Sequence, residues 1–112
     1  MTRGTFLGEF EQLVLLAIAH LHDEGYGVTI LEEIGRRTGR RPSMGAVYAT
    51  LARLEAKGLV RSWLGAATPG RGGRAKRHFA LRPAGRRALE ATGLALERMW
   101  GGIPWKPRAE GV

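Results

Sequence analysis

Arg71, Arg74, Lys76 and Arg77 crowd into one short stretch that is otherwise mostly glycine. The planar fork of arginine donates hydrogen bonds in pairs, which suits phosphate. Glycine lets a backbone approach a charged wall closely. The chemistry such a segment can do is to hold a polyanion. Its surroundings agree. The chain has 18 Lys+Arg against 10 Asp+Glu, a formal net charge of +8, and most of the basic residues are arginine. No acidic residue stands between Glu55 and Glu90, where Lys57, Arg61, Arg82, Arg86 and Arg87 join the four above. A merely solvated surface ordinarily mixes both signs, so a one-sign block of this length reads as an electrostatic footprint for nucleic acid.

Other chemistries are poorly assembled. The chain has no cysteine, which removes disulfides, thiolate zinc sites and cysteine nucleophiles together and fits a reducing cytoplasm. His20 and His22 are two apart on a helix and point to different faces, poor geometry for sharing a metal. His78 falls in a strand beside arginines. All three histidines are read as surface or interface residues. There is no nucleophile elbow and no credible carboxylate pair. We therefore expect no catalytic residue, no cofactor and no metal. The letters from Gly70 to Ala75 match a dinucleotide fingerprint, but that motif works only between a strand and a helix, and here it lies between two strands. The longest apolar run, residues 13–19, is too short to cross a bilayer, and no secretory pattern is visible. A cytoplasmic protein without membrane contact is expected.

These residues need elements to position them. Residues 9–22 repeat apolar side chains at three- and four-residue steps and predict a helix buried on more than one side, closed by a left-handed Gly25. A second helix spans 27–38, with Val28, Leu31 and Ile34 as its inner stripe and Gly39 as its cap. A third spans 43–57, capped by Ser43, with Met44, Val47, Leu51 and Leu54 inward and Gly58 closing it. Strands at 59–64 and 77–81 flank the glycine-rich loop, which reads as a wing. Pro83 opens a fourth helix over 83–100.

The fold class is thus mainly α with a small β-hairpin: a winged helix-turn-helix plus one C-terminal dimerisation helix. The division expected is 1–82 for the DNA-binding domain, 83–100 for the dimerisation helix and 101–112 for a flexible tail. In a helix-turn-helix the second helix of the pair enters the major groove by its N-terminal residues. That assigns Ser43, Met44, Ala46, Tyr48, Ala49 and Arg53 to double-stranded DNA, with Arg71, Arg74, Lys76 and Arg77 on the wing. Tyr48 reads either as a phosphate donor or as packing on the first helix, and Arg53 either as a phosphate contact or as the partner of an acid on its own helix. Leu89, Leu96, Met99 and Trp100 give the fourth helix an apolar face that a single small domain cannot cover. A second copy would cover it, with Trp100 serving as an interface anchor or lining an effector pocket.

The segments from Leu7 to Ala17, Tyr26 to Val28, Ser43 to Val60 and Gly72 to Leu81 resemble the PadR family of transcriptional regulators, in its short form. The resemblance spans residues 7–100. It implies a homodimer on a pseudo-palindromic operator, usually acting as a repressor, and it adds Tyr26 as a phosphate contact. It also implies a small apolar effector at the dimer interface, for which Trp100 is the candidate. Two positions depart from the family: Phe79 replaces a frequent tyrosine, and Arg82 a threonine that would cap the fourth helix. The alternative function is a winged-helix module that binds another protein and not DNA.

Overall fold

Three helices, a hairpin and a final helix follow in the order α1 (Glu9–His20), α2 (Gly27–Thr38), α3 (Met44–Ala56), β1 (Val60–Leu64), β2 (Arg77–Leu81) and α4 (Pro83–Trp100). The computed structural model describes residues 6–66 and 74–107. Each expected element is present, with ends displaced by at most two residues. No helix among the described residues is long and apolar enough to cross a membrane.

α1 runs through the middle of the domain. Val14, Leu15 and Ile18 are fully buried on it, each burial stabilising by about 1.5–3 kcal/mol. Leu16 lies exposed, so α1 is less widely buried than the sequence suggested. At 100° per residue it points almost opposite to Val14. The chain leaves α1 through left-handed His22 (φ 57°) and Asp23 (φ 61°). The expectation of a left-handed Gly25 is therefore corrected; His and Asp tolerate that conformation better than most side chains. Gly25 serves closeness instead. A Cβ there would lie 2.5 Å from Leu21 Cδ1.

The inner face of α2 also differs from expectation. Gly27, Ile30 and Ile34 are buried, Leu31 is half-buried, and Val28 is 44% exposed. Val28 and Ile34 are six residues apart and cannot share the centre of one helical face; the stripe centres on Ile30 and Ile34. Gly39 (φ 76°) ends the helix as expected.

α3 buries Val47, Thr50, Leu51 and Leu54. It ends in a Schellman turn: Gly58 N donates to Glu55 O at 2.9 Å and Leu59 N to Leu54 O at 3.0 Å. β1 and β2 pair antiparallel from Val60↔Leu81 to Leu64↔Arg77, and Tyr26 adds an isolated bridge to His78. α4 starts at Pro83 with no side-chain cap from Arg82. Its first turn presses on the hairpin root, since a Cβ on Gly85 would lie 2.2 Å from Leu59 O.

Candidate nucleic-acid interface

Ser43 Oγ accepts from Ala46 N at 3.0 Å and fixes the start of α3. From there Gly45, Ala46, Tyr48, Ala49, Ala52 and Arg53 face outward, while Met44 is half-buried. The outer face of α3 is nearly flat because most of its residues end at Cβ. Tyr48, 50% exposed, and Arg53 are the large side chains on it. Tyr48 packs over the start of α2, since a Cβ on Gly27 would lie 2.4 Å from its hydroxyl. Gly27 thus makes the slot that holds the Tyr48 ring.

The other end of α3 is anchored by a carboxylate that the sequence alone did not single out. Glu11 of α1 is buried. Its Oε2 accepts from Lys57 Nζ at 2.8 Å, and Arg53 Nε lies 3.5 Å from the same oxygen. Oε1 accepts from Gly8 N at 3.0 Å. Burial pushes the Glu11 carboxyl up, but the Lys57 hydrogen bond and charge, the Gly8 amide and Arg53 together hold it below its ordinary value. The acid beside Arg53 comes from α1 rather than from its own helix, which corrects one of the two sequence readings. The signal that could have found Glu11 is weak: an acid four residues before a buried leucine reads as first-turn decoration.

Several cations of the helical body have acid partners: Arg36 and Arg37 both bind Glu33, Arg40 binds Glu9 at 3.0 Å, and Arg86 binds Glu90 at 3.2 Å, whereas Arg41, Arg82, Arg87 and Arg98 are exposed with no acid within ion-pair distance among the described residues. The Glu33 carboxyl is held below its ordinary value chiefly by the Arg37 hydrogen bond, against burial and with help from Arg36. Around the hairpin, Arg61, Arg74, Lys76 and Arg77 are exposed and have no acid within ion-pair distance among the described residues. Arg77 donates to Ser62 Oγ at 3.0 Å, and Ser62 donates to Glu55 at 2.9 Å, so a hydroxyl separates that cation from the acid. Arg71 lies outside the described residues. Tyr26 is half-buried beneath Lys76, whose Nζ sits 5.0 Å from the ring centroid.

α4 carries the second candidate surface. Leu96 and Met99 are exposed on one side of this helix, Met99 at 77%, while Leu94, also exposed, points to the opposite side. Trp100 meets Trp105 edge-on with centroids 5.9 Å apart. Leu89 is half-buried: it packs partly on the core and, with Leu16, Ala19 and Gly93, walls an open groove between α1 and α4. No group of three or more His, Asp or Glu placed to hold a metal occurs among the described residues.

Comparison with known proteins converges on one group. The model of the transcriptional regulator PadR-like family matches residues 15–91. Transcriptional regulator Rv3488 of Mycobacterium tuberculosis is 39% identical over 94 residues, covering 81% of this chain and 83% of that protein. An uncharacterized 37.1 kDa protein in transposon TN4556 of Streptomyces fradiae is 37% identical over 94 residues; this chain spans only 24% of its length. Among solved structures, a PadR family transcription regulator from Clostridium difficile superposes with TM-score 0.70 at 22% identity, covering 82% of this chain and 91% of that one. F93 from STIV, a winged-helix DNA-binding protein, gives TM-score 0.69 at 13% identity over 87% and 97%. The last two establish the winged-helix fold.

Proposed function

The chain belongs to the PadR-like family of transcriptional regulators, and from that premise we propose that it is a sequence-specific repressor acting in the cytoplasm as a homodimer on a pseudo-palindromic operator. The observation that carries this is the adjacency of a flat α3 face to exposed cations that lack acid partners. α3 enters the major groove through Ser43, Met44, Ala46, Tyr48 and Ala49, with Arg53 one turn on. Arg71, Arg74, Lys76 and Arg77 track the phosphates beside it, and Tyr26 adds its hydroxyl.

Small side chains supply few base contacts, so spacing and DNA shape take a larger share of selectivity. Residues 1–82 form the DNA-binding unit, 83–100 pair two copies, and 101–112 trail as a tail. The exposed Leu96 and Met99 favour this pairing because a lone domain leaves them in water. Two α3 helices about 34–36 Å apart would meet successive major grooves. A small apolar compound at that face, held by Trp100, would release the operator.

The test is a gel shift on duplex DNA from upstream of the protein's own gene, with duplex RNA and scrambled DNA as competitors. Selective retardation by the upstream duplex is expected. Equal competition by duplex RNA, or no retardation, would turn the assignment toward an RNA-binding or protein-binding module.

A further inference from the structure

His78 makes more cross-element contacts than a surface histidine needs. Its Nδ1 lies 2.7 Å from the carbonyl of Glu24. A carbonyl only accepts, so Nδ1 carries the hydrogen and donates it. One face of the ring stacks on Trp63 with centroids 5.7 Å apart and planes at 22°. Tyr26 meets the ring edge-on, also at 5.7 Å. Arg61 covers Trp63, its guanidinium carbon 4.6 Å from the ring centroid. At Gly65 a Cβ would lie 2.7 Å from Nε2, so the first residue after β1 rests on the imidazole.

The backbone leads to the same place. Gly65 N donates to Lys76 O at 2.8 Å, and Phe79 N donates to Gly25 O at 2.9 Å. The sheet has only two strands, and a two-stranded hairpin is marginal by itself in water. Its body end is held by buried Val60 and Phe79. At its far end Leu64 and Arg77 are exposed, and His78 is the side chain that hydrogen-bonds across to the segment before α2.

We propose that His78 is a positioning residue for DNA binding: its ring pins the root of the wing to the start of α2, and so keeps Lys76 and Tyr26 in one phosphate-facing surface. This rests on the DNA-binding function above. His78 touches no DNA itself. It acts through the wing cations, which lose their fixed direction when the pin is removed.

The experiment measures binding of the whole protein to its upstream duplex over a salt series, for wild type, His78→Ala and His78→Asn, with circular dichroism to establish folding. Each phosphate contact adds roughly 0.9 to the slope of log K against log salt. The slope of His78→Ala should fall by about two to three contacts' worth, for Arg74, Lys76 and Arg77. His78→Asn, whose amide can donate to the Glu24 carbonyl, should recover most of it. Nitrogen NMR of the free protein at alkaline pH should show the Nδ1–H tautomer, a readout that needs neither a variant nor DNA. An Nε2–H tautomer would overturn the proposal, as would a folded His78→Ala or His78→Asn that behaves against this order. A wild type with no salt-dependent binding would remove the DNA function itself, and this role with it. Intact wild-type binding with an unchanged variant slope would remove only the role of His78.

Discussion

Lys57 Nζ stands 2.8 Å from Glu11 Oε2 and so ties the C-terminal cap of α3 to the first turn of α1. The two residues are 46 positions apart in the chain. With Ser43 fixing the start of α3, the helix assigned to the major groove is held at both ends by polar contacts and along its length by Val47, Leu51 and Leu54.

Glu11→Gln should lower stability by about 1.5 kcal/mol at neutral pH, from the range of about 1.5–3 kcal/mol for a hydrogen bond to a charged group. The lower end applies because Lys57 is 38% exposed and partly screened. The sign with pH follows from a folded pKa below the ordinary 4.5. The ionised carboxylate contributes its full stability above the unfolded value, and that contribution is lost as pH falls through the folded value. Urea midpoints of wild type and variant should therefore differ at neutral pH and converge in acid. A gap that widened on acidification would contradict the anchor.

Two glycines should respond in opposite ways to alanine. Gly85→Ala pushes a Cβ into the Leu59 carbonyl and should cost about 1–3 kcal/mol, the usual range for overpacking. Gly45 is exposed near the start of α3 with only Ser43 Oγ near its Cβ position, at 3.8 Å. Gly45→Ala should stabilise the fold by up to about 1 kcal/mol while weakening operator binding, because the added methyl faces the groove. Thermal melts together with binding isotherms separate the two effects. A Gly45→Ala protein that gains both stability and affinity would remove Gly45 from the interface.

Leu96→Glu with Met99→Glu should convert the dimer to monomer, since both side chains are exposed on one chain and a carboxylate in an apolar interface is costly. Sedimentation velocity reads this directly. The same variant should bind a single half-site weakly and lose cooperative binding to the full operator. A wild type that sediments as a monomer at micromolar concentration would contradict the pairing role of α4.

Much of this was legible in the sequence. Helix periods, Ser43, Gly39, Gly58 and Pro83 locate the four helices, and the glycine-rich loop brackets the two strands, because each signal acts locally. What escaped depends on partners distant in sequence. Glu11 looks like a first-turn acid until Lys57 and Arg53 arrive beside it. The stack of Tyr26, His78 and Trp63 requires the hairpin register and the bridge to α2. Val28, Leu31 and Ile34 are evenly spaced and suggest one inner stripe, yet steps of three drift about 60° each around a helix, and Ile30 takes the centre.

In the proposed division of labour, the outer face of α3 docks the protein on its preferred sequence while the wing supplies affinity that ignores sequence. Fluorescence anisotropy with the upstream duplex and a scrambled duplex, over a salt series, tests this with two variants. Replacing Arg71, Arg74, Lys76 and Arg77 by alanine should lower the slope of log K against log salt by up to about 3.6 on both duplexes, at roughly 0.9 per phosphate contact. Ala49→Glu, at an exposed position on α3, should leave the fold intact and erase the preference for the upstream duplex. An unchanged slope without the wing cations, or an unchanged preference with Glu at position 49, would contradict this division between helix and wing.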